Sequence, residues 1–314
     1  MKLQQHLFMA VVFLAASCTT GPRKTPQGIQ HVIVIGIDGL SSAGLRDAIT
    51  PTMDSLIAQG STVWHARAVL PSVSSPNWAS MIHGAGPEQH GITSNEWDPD
   101  SIGLPPIVQG ENGRFPSIFD VLHGQRPDAE IGSVYEWGGF GRLYDKASVS
   151  YDAHFDTPDS TAAAFSQYIV NRKPVFAFIQ LDHVDGAGHH YGHMTDEYLA
   201  SITHADSLIA LILDGIAQAG IADRTLLMIS SDHGGIGHGH GGEHPEEVTI
   251  PIIIAGHGVK AGYVVQQPTY SYDITATAAY ALGITRPYAW IGRAIKPAFT
   301  GYDEPANLWK GEAR

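Results

Sequence analysis

Four short apolar segments restrict this chain to a small set of folds. They lie at 31–39 (HVIVIGIDG), 174–182 (PVFAFIQLD), 225–231 (within RTLLMISSD) and 248–256 (VTIPIIIAG). Apolar, β-branched runs of this length are typical of strands that are buried on both faces. Helical patterns separate them, including the long amphipathic stretch that ends before Gly220. The alternation predicts an α/β fold, a three-layer α/β/α sandwich with a mostly parallel central sheet.

The amino terminus has the pattern of an export signal. A single lysine precedes an apolar run from Leu7 to Ala16, which is too short to span a bilayer, and small residues and Cys18 follow. The segment LAASC resembles a bacterial lipobox, whose cysteine becomes the lipidated first residue. A plain signal peptide cut nearby is the alternative. Either way we expect an exported protein, and with the lipobox a periplasmic or outer-membrane lipoprotein of a bacterium that meets the membrane only through Cys18.

The rest of the chain is expected to hold one catalytic domain. Residues 1–18 are the signal peptide, 19–30 a polar tether, 31–300 the domain and 301–314 a tail. The stretch 97–160 is richer in proline, glycine and aromatic residues, and we expect it to form a partial cap.

Charge and histidine content narrow the function. The formal net charge is −13. The sequence has no cluster of lysines and arginines of the kind that would predict a nucleic-acid-binding patch. The chain has 17 histidines against 18 lysines and arginines. Histidine is the commonest neutral metal ligand, so this content indicates metal binding.

Aspartates and histidines follow the predicted strands where those strands end. Ligands of open parallel sheets bind outside the carboxyl ends of the strands, so these side chains should meet at one edge. Together with a serine pair at a predicted helix start and one later histidine, they suit two divalent metals, such as Zn²⁺, about 3.5–4 Å apart. The residues are Asp38, Ser74, Ser75, Asp185, His189, Asp232 and His233.

The stretch SSDHGGIGHGHGGEHPEE (230–247) offers the later histidine. Its glycines fit a tight loop that brings the backbone close to a metal and a phosphate. His238, His240 and His244 are the candidates, and the residues alone leave the choice among them open.

Several motifs together resemble the alkaline phosphatase superfamily, most closely its type I phosphodiesterase/nucleotide pyrophosphatase branch. They are IDG, SSPNWASMIHGAGPEQHGITSN, DHVDGAGHHYG and SDHGG…GHGGEHPEE…TIPIIIAG, in the family's order over most of 31–296. The resemblance implies an alkaline-phosphatase-like fold. It also implies a metal-dependent hydrolase of small-molecule phosphate esters, with phosphodiester or nucleotide pyrophosphate bonds as substrates.

The resemblance also assigns roles to single residues. Ser74 takes the place of the nucleophile, with Ser75 as the alternative, and Asn95 that of the residue which binds a nonbridging phosphoryl oxygen. One metal would be held by Asp38, Ser74, Asp232 and His233, and the other by Asp185, His189 and one later histidine. The match to HGG..PEE selects His240, with His238 and His244 as rivals.

The sequence departs from the family pattern after the nucleophile. Ser75 stands where the family has a phenylalanine that stacks on a nucleobase, so Trp78, Trp97 or Tyr191 would have to supply an aromatic wall. No arginine is placed by motif to bind a dianionic phosphate, which favours diesters over monoesters.

Four other functions compete with this prediction. A phosphomonoesterase or a phospho-alcohol transferase is the alternative within the superfamily, because HGGEHPEEVTIP is similar to a pattern of ethanolamine-phosphate transferases. Sulfatases fit less well, since SSPNWAS lacks the arginine that their motif requires. The non-enzymatic alternative is a zinc-binding lipoprotein.

Overall fold

The computed structural model describes residues 26, 28–110, 112–306 and 308. The expected signal peptide, the lipobox at Cys18, most of the tether and the end of the tail lie outside these residues. Nothing in the described part of the chain tests those expectations.

The predicted α/β fold with a mostly parallel central sheet is confirmed. Eight strands follow in the order β4-β3-β5-β1-β6-β7-β2-β8. The pairs from β4 to β6 are parallel, β7 runs antiparallel to both of its neighbours, and β8 is parallel to β2. The strands are β1 His31–Ile37, β2 Ser61–Arg67, β3 Ile131–Tyr135, β4 Tyr151–His154, β5 Phe176–Leu181, β6 Thr225–Ser230, β7 Thr249–Gly256 and β8 Tyr263–Val264.

Helices cover both faces of this sheet. In β1, Val32 and Val34 pack into one apolar cluster and Ile33 and Ile35 into the other, because successive side chains of a strand point to opposite faces. Both sets are buried, which explains the unbroken apolar run. The helices are α1 Ser42–Asp47, α2 Pro51–Gln59, α3 Ser74–His83, α4 Pro87–His90, α5 Ile118–Gln125, α6 Pro158–Arg172, α7 His183–Tyr191, α8 Asp196–Gln218, α9 Pro245–Val248 and α10 Asp273–Leu282.

The two faces have different helices. The cluster beside Val32 receives side chains from α3, α5 and α10, and the cluster beside Ile33 receives them from α1, α2, α6 and α8. By length and composition alone α8 could cross a membrane. Its residues Tyr198, Ile202 and Ile209 are fully buried in the second cluster, as in a core helix of a folded domain.

The structure corrects one local expectation and defines the start of one helix. The prediction that 97–160 forms a partial cap is wrong. Its segments 131–135 and 151–154 are strands of the central sheet, and α5 packs on that sheet. The sequence EIGSVYEW (130–137) favours a strand at the first of these segments, whereas the second has only four residues and is hard to tell from a loop. The helix at the serine pair begins at Ser74 itself, and Val73 occupies the N-cap position. Gly84 ends this helix in the left-handed conformation.

Candidate active site

The predicted ligands lie together at the carboxyl ends of the three central strands. Asp38 directly follows β1, and Asp232 and His233 follow β6, its neighbour on one side. Asp185 and His189 lie one turn apart on α7, which follows β5 on the other side. Ser74 is the first residue of α3, and His240 lies in the loop between β6 and α9.

One group of side chains surrounds the imidazole of His233. Its Nε2 atom lies 3.3 Å from Ser74 Oγ, 3.4 Å from Asp38 Oδ1 and 3.1 Å from Asp232 Oδ2. The histidine and both aspartates are fully buried. Four potential ligands thus face one small volume from three different elements.

A second group surrounds the carboxylate of Asp185. Its Oδ2 atom lies 3.1 Å from His189 Nε2, and its Oδ1 atom lies 3.7 Å from His240 Nε2. The two imidazole Nε2 atoms are 3.2 Å apart. A ligand atom of Asp185 also lies within 4.8 Å of ligand atoms of Asp38 and His233, so the two groups adjoin.

The three histidines share one orientation. The Nδ1 atoms of His189, His233 and His240 each lie 2.8 Å from a backbone carbonyl oxygen, those of His238, Gly234 and Ser72. A protonated Nδ1 that donates to a carbonyl leaves Nε2 with its lone pair. Metal-binding histidines have this arrangement, in which the second nitrogen is fixed by an outer partner.

The carboxylates of the two groups fit divalent cations. Among the described residues, Asp38 Oδ1, Asp185 Oδ1 and Asp232 Oδ2 are buried without a hydrogen-bond partner. Burial, and then the neighbouring carboxylates, raise the pKa of Asp38 and Asp232 well above the usual value, and burial lowers that of His233. Anions and imidazole lone pairs that face one another in a buried site need positive charge between them.

The carboxylate of Asp38 is held by two residues whose role here the sequence did not predict. Its Oδ2 atom accepts hydrogen bonds from Trp78 Nε1 at 2.9 Å and from Gln180 Nε2 at 3.2 Å, which leaves Oδ1 for the site. Gln180 could have been noticed as the polar residue inside the apolar strand FAFIQL. Its partner is 142 positions away in the sequence, so the strand alone does not reveal this role.

The prediction of an aromatic wall for substrate is corrected for two of its three candidates. Trp78 has no exposed surface and Trp97 is 8% exposed, and both pack in the apolar core. Neither can stack on a substrate. Tyr191, at the end of α7, is 51% exposed and remains available for such a contact.

The two adjacent serines differ in what their side chains face. Ser74 Oγ faces His233, whereas Ser75 Oγ lies 3.4 Å from Arg142 Nη2. The backbone N–H of Ser75 donates to Asn95 Oδ1 at 2.7 Å, which leaves the Asn95 amide nitrogen for another partner. Arg142, from the segment FGR after β3, is a site residue that no motif pointed to.

The rival histidines lie outside the two groups. His238 supports His189, whose Nδ1 donates to the His238 carbonyl oxygen, and its own Nδ1 lies 3.1 Å from the His189 carbonyl oxygen. His244 is exposed at the N-cap of α9. Of the three candidates, the structure brings only the His240 imidazole beside Asp185 and His189.

Comparisons with known proteins find a matching family and several distant relatives. Residues 32–238 match the family model described as type I phosphodiesterase / nucleotide pyrophosphatase. The chain is 22% identical over 229 residues to venom phosphodiesterase CdcPDE of Crotalus durissus collilineatus, covering 69% of this chain and 28% of that protein. It is 21% identical over 257 residues to GPI ethanolamine phosphate transferase 1 of Saccharomyces cerevisiae, covering 75% of this chain and 28% of the transferase. The chain thus spans under a third of the length of these relatives.

Solved structures share the fold over nearly the whole chain. An inactive variant of murine ectonucleotide pyrophosphatase / phosphodiesterase 5 in complex with AMP superposes with a TM-score of 0.67 at 15% identity, covering 82% of this chain and 96% of that chain. A variant of alkaline phosphatase PafA superposes with a TM-score of 0.71 at 11% identity, covering 89% of this chain and 100% of that chain. The alkaline-phosphatase-like fold is therefore confirmed.

Proposed function

The chain belongs to the type I phosphodiesterase / nucleotide pyrophosphatase family, and we propose that it hydrolyses phosphoric esters with Ser74 as nucleophile and two bound divalent metals. The position of Ser74 Oγ supports this proposal most directly. It lies at the amino terminus of α3, 3.3 Å from His233 Nε2 and next to carboxylate oxygens that lack hydrogen-bond partners.

The two groups of side chains divide the metal ligands between them. Asp38, Ser74, Asp232 and His233 hold one cation, and Asp185, His189 and His240 hold the other. Carboxylate oxygens with imidazole nitrogens and no thiolate suit Zn²⁺. When bound, the cations lower the pKa of a hydroxyl or water and offset charge on the reacting phosphoryl group.

The chain's own residues position the reacting phosphoryl group. The Ser74 oxygen attacks phosphorus, the bond to the leaving oxygen breaks, and a phosphoserine forms. A water oxygen then attacks phosphorus and releases Ser74 with inorganic phosphate or a phosphate ester. The backbone N–H groups at the start of α3 favour the negative charge. The free amide nitrogen of Asn95 donates to a nonbridging oxygen.

Membership of this family favours phosphodiester or nucleotide pyrophosphate bonds of small molecules as the bonds that this chain cleaves. The venom phosphodiesterases support this choice, and a phospho-alcohol transferase is the alternative that the yeast relative supports. We further propose that the protein is exported and anchored through Cys18. A zinc-binding lipoprotein without activity would have no need of a serine hydroxyl beside His233.

Replacement of Ser74 tests the mechanism. Ser74→Ala removes the attacking oxygen, so we expect hydrolysis of bis-p-nitrophenyl phosphate to fall by at least about 10³-fold. Metal analysis of the variant should still give close to two ions per chain, because six other ligands remain. Ser75→Ala is the matched control and should retain turnover. Full activity of Ser74→Ala, or loss in Ser75→Ala alone, would contradict the assignment.

A further inference from the structure

We propose that Arg142 binds an anionic phosphoryl oxygen beside Ser74, so that the site hydrolyses phosphomonoesters and depends on Arg142 to do so. This inference rests on the proposed function and specifies its substrate class. A monoester differs from a diester at one position on phosphorus, where it carries a second anionic oxygen in place of an ester group. The structure puts a guanidinium next to the residues that border that position.

Arg142 approaches the site from the segment that follows β3. It follows β3, a neighbour of β5, at the end of the short turn Phe140–Arg142. Its Nη2 atom donates to the backbone carbonyl of Asn95 and lies 3.4 Å from Ser75 Oγ. Arg142 therefore contacts both the residue after the nucleophile and the residue expected to bind a phosphoryl oxygen.

Most of the guanidinium donors are uncommitted. A guanidinium carries five N–H groups, and both hydrogen bonds that the structure shows for this side chain use Nη2. Within the described part of the chain, Nε is buried without a partner, and no carboxylate forms an ion pair with Arg142. A half-buried cation with unused donors is costly, and a phosphate anion matches its planar geometry.

The surroundings hold Arg142 in place. Arg114 donates to the carbonyl oxygens of Arg142 and Tyr144, which fixes the turn. The Arg142 guanidinium carbon lies 5.9 Å from the ring centre of Trp137, a distance at which an aromatic face attracts a cation. The guanidinium is thus positioned before a substrate arrives, which reduces the entropy cost of binding.

The small side chain of Ser75 leaves room for the guanidinium at this position. The hydroxymethyl group of Ser75 is fully buried under the guanidinium, where the family pattern has an aromatic ring for a nucleobase. A small residue with a neighbouring cation provides charge complementarity instead of a stacking surface. Such a site suits a phosphoryl group with two negative charges better than a neutral aromatic substituent.

Kinetics of Arg142 variants with both ester classes test this inference. The purified protein with its metals is assayed at pH 8 with p-nitrophenyl phosphate and bis-p-nitrophenyl phosphate. For Arg142→Met we expect kcat/KM for the monoester to fall about 10- to 100-fold, the range of a charged hydrogen bond, while that for the diester changes less than about 3-fold. Binding of inorganic phosphate, measured by calorimetry, should weaken by a factor similar to the monoester loss.

Two further variants distinguish phosphate binding by Arg142 from its structural support of the Asn95 backbone. Arg142→Lys keeps the charge with fewer directed donors, so it should recover part of the monoester activity. Arg126→Met, which removes a partly buried hydrogen bond to the Leu282 carbonyl outside the site, should leave both activities unchanged. If Arg142→Met lowers both ester activities equally, Arg142 only holds Asn95 and the inference is wrong.

The outcome for the unmodified protein separates the two proposals. Hydrolysis of the diester without the monoester overturns the role of Arg142 and leaves the proposed function standing. Hydrolysis of neither ester by protein that contains two metals overturns the proposed function itself. If Arg142→Met does not fold, the Arg142→Lys comparison decides by the same ratio of the two esters.

Discussion

The two oxygens of the Asp38 carboxylate have separate partners. Oδ2 accepts from Trp78 and Gln180, and Oδ1 faces His233. Outer partners of this kind orient a ligand and raise metal affinity, and their loss typically costs 10- to 100-fold. We therefore expect Trp78 to position Asp38 from the core, although its sequence context suggested a contact with substrate.

The Trp78 indole can be tested by removing only its N–H group. We expect Trp78→Phe to weaken binding of one metal about 10- to 100-fold, because Asp38 is then free to turn. The affinity is measured by competition with a chromophoric chelator. Trp290→Phe is the matched control, since Trp290 is equally buried and donates to the Pro116 carbonyl oxygen away from the site. Equal metal affinity in both variants would show that the Asp38 contact has no positioning role.

At the scale of elements, the loop after β6 is shaped by the packing of its glycines. A Cβ on Gly235 would lie 2.0 Å from His193 Nε2, and one on Gly188 of α7 would lie 2.6 Å from His193 Cε1. The His193 ring is thus enclosed between the loop and α7. Because α7 carries Asp185 and His189, this contact couples the loop that bears His240 to the other ligands of the same group.

A single methyl group tests that coupling. Gly235→Ala should displace His193 and destabilise the protein by about 1–3 kcal/mol, the usual cost of overpacking. Metal content should fall toward one per chain. Gly239→Ala lies in the same loop with nothing within 4 Å of its Cβ, so it should differ little from the unmodified protein in urea unfolding and metal analysis. Similar behaviour of the two variants would rule out the coupling.

Elements differ in how far the sequence predicts them. The central strands were predictable because burial on both faces leaves an unbroken apolar run, as in β1. The edge strand β4, Tyr151–His154, is short and only partly buried, so its composition resembles that of a loop. Among the site residues, Asp38 and His233 follow strands and belong to motifs. Gln180 and Arg142 have roles that depend on contacts between distant segments, which no local pattern encodes.

For the whole molecule, a buried histidine pair at the ends of α3 and α4 links stability to pH. Burial lowers the pKa of His83 from 6.5 to about 4, and it also lowers that of the neighbouring His90. At pH values between about 4 and 6.5, the folded and unfolded pKa values of His83, the unfolded chain binds a proton at position 83 that the folded protein does not. The free energy of unfolding therefore falls as the pH drops from about 6.5 to 4.

The contribution of His83 can be isolated by comparison of two variants. Between pH 7 and pH 5 the unmodified protein should lose about 2 kcal/mol through this group, and His83→Gln should lose correspondingly less. Urea unfolding at both pH values provides the measurement. His123→Gln replaces an exposed histidine of α5 and should show the full loss. A loss in His83→Gln as large as in this control would exclude His83 as the source.

The order β5-β1-β6 determines the point during folding at which the chain could first bind a metal. Asp38, Asp185 and Asp232 reach one another only after strands from three distant parts of the sequence have paired. Pairings of such long sequence separation form late and slowly. A growing or partly folded chain thus has scattered carboxylates and imidazoles but no common cavity for a cation. Metal capture then reports that the centre of the sheet is complete, and a pulse of metal during refolding would time that event.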